Sequence, residues 1–417
     1  MRQIGFSLPA QRNLFLLASG LSTMGSFAGL TAKGWVLMSG TNNPLIVALQ
    51  FAVLALPALV VSGPAGVLTD RHGCERVLVW AQFGLLGGAL VGALAMPFST
   101  GALQAGLLLL STLLVGIASA YELTARNKYC ALLVQNPGEL GGYLTSFSVV
   151  FNVGKLVGPP VGGLLVALTG PTLALLLDAS TYILPIVSVV WLLQPLREQE
   201  QRSGQGEGAS LLAAWRGCGN DLRHVLRFTA LFCVVGFFHP GLAPVMAAQF
   251  IGASPQDLGL FTSVLAAGSI TGGVLLQRNS FWLSQRPALL LGSSGLLTAL
   301  AQLGLSAEGS RAWTLAMAFL IGWGTAVLLS GTNLITQVGS PQVLRGRMAG
   351  LGQIAFLGGG GISGLIAALL TMRWGLGATC GVLGAVGLVI AGQELWRRGN
   401  RRLTVSYTHL TLPTIAI

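Results

Sequence analysis

The sequence predicts an all-α membrane protein with twelve transmembrane helices in two six-helix bundles. Only 8% of its 417 residues are charged, whereas 53% are hydrophobic and the mean hydropathy is +0.74. Soluble domains carry about 25% charged residues. The low charge therefore excludes a soluble enzyme, a nucleic-acid-binding protein with a basic groove and a disordered chain. Lipid is the solvent that fits this composition.

Twelve runs have the length of about 20 mostly apolar residues that crosses a bilayer. They cover residues 13–39, 44–68, 77–97, 102–125, 142–168, 171–194, 225–251, 256–277, 288–306, 311–334, 348–371 and 374–396. The separators are short, except for a charged and Gly-rich segment after the sixth run. We therefore expect an N-terminal bundle (1–194), a cytoplasmic linker (195–224), a C-terminal bundle (225–396) and a tail (397–417). The linker is predicted to contain a short amphipathic helix at 210–224.

The basic residues orient the spans. With the N-terminus in the cytoplasm, 19 of the 23 Lys and Arg lie on the cytoplasmic side. Arg311 and Arg373 lie outside, and Lys33 and Lys155 lie within spans. Because cytoplasmic loops collect Lys and Arg, this excess predicts a multi-pass inner-membrane protein with both termini in the cytoplasm. It also accounts for the net charge of +11 without nucleic acid.

The two halves repeat a short pattern. Residues 137–142 and 341–346 both fit P-x-x-L-x-G, at an offset of 204 residues. Gly154 and Gly358 are related by the same offset. Two related six-helix halves are the architecture of secondary transporters.

A charged loop joins spans 2 and 3. Residues 66–76 have the sequence Gly-Val-Leu-Thr-Asp-Arg-His-Gly-Cys-Glu-Arg. This resembles the signature loop of the major facilitator superfamily, G-x-x-x-D-R-x-G-R-[RK], from which Cys74 and Glu75 depart. The matching residues are Gly66, Asp70, Arg71, Gly73 and Arg76.

The resemblance implies that this loop latches the two halves together on the cytoplasmic side. Gly66 is expected to let helices approach closely, as small residues do in membranes. Arg126, at the end of span 4, is the expected partner of the Asp70 carboxylate. The alternative is an ordinary turn whose charges only fix the topology.

Span 5 contains a run of Gly and Pro. Residues 154–163 have the sequence Gly-Lys-Leu-Val-Gly-Pro-Pro-Val-Gly-Gly. Gly at every fourth position forms a groove for a neighbouring helix, and Pro bends a helix. The run resembles the superfamily motif G-x-x-x-G-P-x-x-G-G, which is associated with proton-coupled exporters; the alternative is simple helix packing. The matching residues are Gly154, Gly158, Pro159, Gly162 and Gly163.

The loop before span 11 fits the pattern Q-x-x-x-P-x-x-x-R-G-R through Pro341, Arg345, Gly346 and Arg347. It resembles the enterobactin-exporter and macrolide-efflux-like permeases of the same superfamily. Over roughly residues 10–396 the resemblance implies the major facilitator fold. It also implies a monomeric proton-coupled antiporter that exports a small amphipathic molecule, such as a drug or siderophore, by alternating access. A uniporter or importer and a lipid-handling member of the fold remain alternatives.

Ionisable residues inside spans cost several kcal/mol unless they are paired or solvated, so they mark function. Five side chains qualify as cavity or proton-coupling candidates: Lys33, Glu122, Lys155, Asp178 and His239. Asp178 and Glu122 are the candidate proton carriers, and His239 could serve likewise. Lys155 lies about halfway along span 5 and is expected to line the cavity.

Each of these residues also has a structural alternative. Lys33 could extend to the outer interface or pair with Asp178, which lies at a similar depth. Glu122 could be a gate or topology residue. His239, followed by Pro240, could satisfy a carbonyl that the proline leaves free.

Cofactors are not expected. The five cysteines lack a CxxC pair, and no P-loop, zinc or catalytic motif occurs. We therefore expect neither a metal, nor a cofactor, nor an enzyme; a polytopic membrane enzyme is the least favoured alternative. Residues 405–417 resemble translated adapter read-through, and we leave them out of the fold prediction.

Overall fold

The computed structural model is all-helical. It describes residues 8–134, 137–192, 215–278, 286–340, 348, 350–352 and 354–398. In this part of the chain, twelve helical segments are long and apolar enough to cross a membrane. These spans are Ala10–Thr41, Pro44–Val61, Cys74–Phe98, Gly101–Cys130, Val149–Thr169, Pro171–Val190, Asn220–Phe250, Pro255–Arg278, Pro287–Leu305, Arg311–Thr336, Gly350–Trp374 and Leu376–Arg398. All twelve predicted spans are confirmed, with ends that differ by several residues.

Several spans contain more than one helix. The helices of the first half are Leu8–Thr41, Pro44–Ala55, Pro57–His72, Cys74–Phe98, Gly101–Leu133, Pro137–Thr169, Pro171–Thr181 and Ile183–Val187, followed by the π-helical turn Ser188–Leu192. Those of the second half are Asn220–Gly236, His239–Phe250, Pro255–Arg278, Pro287–Leu305, Arg311–Val338, the π-helical turn Ile354–Gly358, Gly359–Trp374 and Leu376–Arg398. Six of these helices begin with Pro, which has no N–H to leave unpaired and a φ already suited to a helix.

The seventh span begins earlier than predicted. Its first helix starts at Asn220, so residues 220–224 of the predicted linker belong to the span. Residues 210–214 of the predicted amphipathic helix, like the tail from residue 399, lie outside the described residues.

The two halves turn in the same way at corresponding positions. The turn between spans 5 and 6 passes through Gly170, with φ 83°, and the turn between spans 11 and 12 passes through Gly375, with φ 82°. This left-handed backbone conformation favours glycine over any other residue. The near-identical turns support the repeat that the sequence predicts.

The apolar core is shared on one side of the bundle and divided on the other. We call the side where span 6 ends and span 7 begins the linker side, and the opposite side the far side. On the far side, one buried cluster joins both halves, with Ala48 and Leu175 packed together with Leu242 and Ala367. On the linker side, the described residues form separate cores, one around Tyr129 and one in the second half. The structure is therefore closed on its far side.

Span 7 breaks in the middle, between the helices that end at Gly236 and begin at His239. Pro240 has no N–H to donate to the carbonyl of Gly236, four residues earlier. The side chain of Gln302, in span 9, donates to that carbonyl instead, with an Nε2–O distance of 2.7 Å. Because no water reaches the interior of the bilayer, this side chain replaces the missing backbone hydrogen bond.

Replacement of Gln302 by Leu is therefore expected to leave the Gly236 carbonyl unpaired and to lower stability by about 1 kcal/mol. Thermal unfolding of the detergent-solubilised protein, followed by tryptophan fluorescence, measures the loss. In a Pro240→Ala background the restored N–H of residue 240 can donate to the Gly236 carbonyl, so Gln302→Leu should lower stability by less. Equal losses in the two backgrounds would contradict this account.

Candidate functional site

Span 5 carries two packing faces. Three of its motif glycines, Gly154, Gly158 and Gly162, lie against span 1 of the same half. A Cβ atom at Gly158 would lie 2.6 Å from the carbonyl oxygen of Met24, and one at Gly162 would meet the backbone of Ala28. The four-residue spacing therefore permits close helix packing within the first half, as the sequence predicts.

The other face of span 5 meets span 8 of the second half. Gly163 lies against the carbonyl of Pro255, and a Cβ atom at Gly259 would lie 2.8 Å from the carbonyl oxygen of Pro159. The two backbones therefore touch directly. One motif thus serves two purposes, holding one half together and closing that half against the other.

A hydrogen bond crosses this contact. Pro160 cannot donate to the carbonyl of Leu156, four residues earlier. The hydroxyl of Ser263, in span 8, donates to it with an Oγ–O distance of 2.8 Å. The proline of one half thus creates an acceptor that a serine of the other half satisfies.

Spans 2, 7 and 11 complete the closure on the far side. Ala48 of span 2 faces both Gly241 of span 7 and Gly364 of span 11. Closer to the middle, the rings of Phe51 and Phe237 meet with centroids 6.1 Å apart. The far side is thus closed by contacts of span 5 with span 8 and of span 2 with spans 7 and 11.

Lys33 lies inside the first bundle. It is only 2% exposed, and its Nζ donates to the Ser111 hydroxyl at 2.8 Å. That hydroxyl in turn donates to the carbonyl of Gly88 at 2.6 Å. This burial contradicts the expectation that Lys33 extends to the outer interface.

Asp178 lies in the same bundle, 4% exposed, with its carboxylate against Gly29 of span 1. Its Oδ1 has no hydrogen-bond partner among the described residues. Gly29 lies one helical turn before Lys33 on span 1, so Asp178 and Lys33 are near each other, but they are not among the described ion pairs within 4.0 Å. One turn further along span 6, the Tyr182 hydroxyl shares a hydrogen bond of 2.8 Å with Ser26. The alternative of a direct ion pair with Lys33 is therefore not formed, although both groups are buried inside the first bundle.

Lys155 and His239 lie between the halves. The Nζ of Lys155 is 3.5 Å from the Ser269 hydroxyl of span 8. His239 is 6% exposed, and its ring meets the ring of Phe237 edge-on with centroids 4.9 Å apart. Because Gln302 satisfies the carbonyl that Pro240 leaves free, the structural alternative for His239 is wrong.

Glu122 pairs within its own helix. Its Oε1 accepts from Arg126 at 3.2 Å, one turn further along span 4. The Arg126 guanidinium also lies over the Phe147 ring, 5.7 Å from its centroid. The ion pair is consistent with the gate or topology alternative for Glu122. The Arg126–Asp70 contact stays a prediction, because the side chain of Asp70 is outside the described part of the structure.

The rest of the signature loop forms a turn between two helices. Gly73 has φ 86°, which favours glycine, and Arg71 and Arg76 on either side of it are exposed. A Cβ atom at Gly66 would meet no heavy atom within 4 Å. The expectation that Gly66 permits a close helix contact is therefore wrong for this conformation.

The structure describes the remaining candidate residues only in part. The second-half loop lies outside the described residues, so these four stay a prediction: Pro341, Arg345, Gly346 and Arg347. Four polar residues that make contacts in the structure were not singled out from the sequence: Ser111, Ser263, Ser269 and Gln302. Their only distinguishing feature in the sequence is a polar side chain within a span. In the described part of the chain, no group of three or more His, Cys, Asp or Glu forms a metal site.

The sequence matches the family described as transmembrane secretion effector over residues 6–416. The chain belongs to this family of the major facilitator superfamily. It is a multi-pass membrane transporter with the major facilitator fold, and it is not an enzyme.

More distant similarities agree with this assignment. The chain is 25% identical to the multidrug efflux pump Tap of Mycolicibacterium fortuitum, over 83% of this chain and 86% of that protein. It is 20% identical to the staphyloferrin A transporter of Staphylococcus aureus, over 63% of this chain and 66% of that protein. A crystal structure of a mutant of the nucleoside transporter NupG superposes with a TM-score of 0.74 at 14% identity, covering 93% of this chain and 99% of that chain. This last similarity shows the fold alone.

The contact between spans 5 and 8 is expected to keep the far side closed. In Gly259→Ala the added methyl group would press on the Pro159 carbonyl, so the far side should open more often. Gly273→Ala is the matched control, because a Cβ atom at this position of the same helix meets nothing within 4 Å. Spin labels at the exposed far-side positions Thr100 and Ala312 report the separation of the halves.

We expect longer distances between the labels in Gly259→Ala and wild-type distances in the control. Labelling needs little correction for native thiols, since all five cysteines are buried. Identical distance distributions in the two variants would show that this contact does not hold the far side closed.

Proposed function

We propose that the chain exports small amphipathic molecules, such as drugs or siderophores, in exchange for protons. The multidrug efflux pump and the siderophore transporter among its relatives support this class of substrate. The observation that carries the proposal is the two-faced span 5, whose Gly-Pro run packs within one half and against the other.

This geometry supports alternating access. The halves share their core on the far side only, so rocking them about the centre would open one side while closing the other. The far-side contacts then have to break, including the hydrogen bond from Ser263 to the Leu156 carbonyl. On the linker side, the signature loop that contains Asp70, with Arg126 of the same half as its partner, is proposed to latch the first half against the second once they close there.

Asp178 is the proposed proton carrier. Its carboxylate is buried, lacks a partner at Oδ1 and lies near the Lys33 ammonium. A proton on Asp178 would remove its attraction to Lys33 and its charge at the contact with span 1. The protonation state of Asp178 would thereby affect the packing of the first bundle. Glu122 is less suited to this role because Arg126 already pairs with it.

Proton coupling can be tested in proteoliposomes. With a labelled siderophore outside and an acidic interior, the wild type should accumulate substrate until the pH gradient is collapsed. Asp178→Asn should lose this gradient-driven accumulation and retain exchange between equal pH values. Glu308→Gln, which removes a carboxyl group from an exposed far-side turn, should behave as the wild type.

Accumulation that ignores the gradient in both the wild type and Asp178→Asn would favour a uniporter on the same fold. If Asp178→Asn lost exchange as well as accumulation, Asp178 would have a structural role and not a role in proton coupling. Each result separates proton coupling from transport itself.

We also propose that the linker side faces the cytoplasm, as the excess of basic residues indicates. A cysteine introduced at Ala312, on the far side, should then react with a membrane-impermeant maleimide in intact cells. A cysteine at Gly219, exposed on the linker side, should react only after the cells are permeabilised. The reverse pattern would invert the proposed topology.

A further inference from the structure

Lys155 lies near the middle of the membrane, where the contact between spans 5 and 8 ends. At 1.5 Å per residue, Lys155 is about 21 Å along its helix from Thr169, and Ser269 is about 21 Å from Pro255. The Pro159–Gly259 contact and the Ser263 hydrogen bond lie between these residues and the far side. Lys155 therefore lies at the inner end of the far-side contact between the halves.

The hydrogen atom of the Ser269 hydroxyl is used in hydrogen bonds to the backbone. It donates toward the carbonyls of Leu265, at 3.0 Å, and Gly322, at 3.2 Å. Its oxygen can therefore only accept from Lys155, and the long distance of 3.5 Å leaves the ammonium group weakly held. Two of the three donors of a protonated lysine remain for another group.

No described carboxylate neutralises Lys155. The described ion pairs occupy Glu122, Asp221, Asp257 and Glu394. Asp178 lies in the first bundle, where its charge acts on Lys33. A lysine this deep costs several kcal/mol unless something compensates its charge. An anion bound between the halves would do so.

His239 is a second polar group near the middle of the membrane, where the two helices of span 7 meet. It is more than nine-tenths buried, and its Nδ1 has no hydrogen-bond partner in the described part of the chain. Its ring lies beside Phe237, which in turn meets Phe51 of the other half. Two nitrogen-bearing side chains, one from each half, thus lie at the centre without an acidic partner.

Aromatic rings border this polar centre. Phe237 contacts His239, and its ring also meets Phe356 at 4.2 Å and Phe51, from the other half, at 6.1 Å between centroids. Phe51 and Phe237 are half-buried, so their rings are available to a bound molecule. A cation beside an aromatic wall suits a molecule with an anionic head and an apolar or aromatic body.

We propose that Lys155, with Ser269 and His239, binds the carboxylate of an amphipathic organic anion between the two halves. The transported substrate is then an anion, and not the lipophilic cation that an acidic cavity would select. This inference rests on the proposed function, because it takes the space between the halves as the transport path. It requires binding alone, so it is independent of proton coupling.

The test compares two probes with one aromatic body, radiolabelled 2-naphthylacetate and its uncharged analogue 2-naphthylethanol. Equilibrium binding is measured on the full chain in nanodiscs, with empty nanodiscs subtracted. The wild type should bind the anion more tightly. Lys155→Gln should weaken binding of the anion about tenfold or more and leave the alcohol unchanged, whereas Lys155→Arg should retain most of the anion binding.

Arg373→Gln is the matched control, because it removes a positive charge from the exposed far-side end of span 11. It should leave the binding of both probes unchanged. Unchanged binding of the alcohol also shows that Lys155→Gln is folded, and thermal unfolding checks this independently. Ser269→Ala should weaken binding of the anion to a smaller degree.

Three results would overturn the inference. They are equal binding of both probes by the wild type, equal weakening of both by Lys155→Gln, and loss of anion binding in Arg373→Gln. Failure of the proposed function gives a different pattern, in which anion binding depends on Lys155 but accumulation in proteoliposomes ignores the pH gradient.

Discussion

The direct backbone contact between span 5 and span 8 is the constraint on which the rest of the structure depends. Gly163 and Gly259 remove the side chains that would hold the two helices apart, and Ser263 supplies the hydrogen bond that Pro160 leaves open. Closure of the far side thereby places Lys155 beside Ser269 at the centre. The same span also packs on span 1, so span 5 links the second half to the interior of the first bundle.

Proline and polar side chains form functional pairs in this protein. Inside lipid, a carbonyl that loses its helical partner must find another within the protein. Gln302 satisfies such a carbonyl in span 7, within the second half, and so stabilises the break beside His239. Ser263 satisfies another across the halves. The first arrangement lies within one half, whereas the second crosses from one half to the other on the closed far side.

The intramembrane charges fall into separate environments. Lys33 and Asp178 lie together inside the first bundle, which gives each an opposite charge nearby and suits a role in coupling. Glu122 is paired with Arg126. Lys155 lies between the halves without a described acid, which suits contact with a substrate. Proton and substrate would then act on different surfaces of the first half, joined through spans 1 and 5.

The sequence alone determined the twelve spans, the two halves and the motifs in the loops and in span 5. These could be identified because span length and the spacing of Gly and Pro are local properties. The sequence also identified these ionisable residues inside the spans: Lys33, Glu122, Lys155, Asp178 and His239. Tertiary structure decided what each of them contacts: Lys33 is buried on Ser111, and Gly66 makes no close contact in this conformation. Which face of a helix meets which neighbour depends on packing between residues far apart in the chain. For that reason only the structure could pair Ser263 with Leu156 and place Lys155 opposite Ser269.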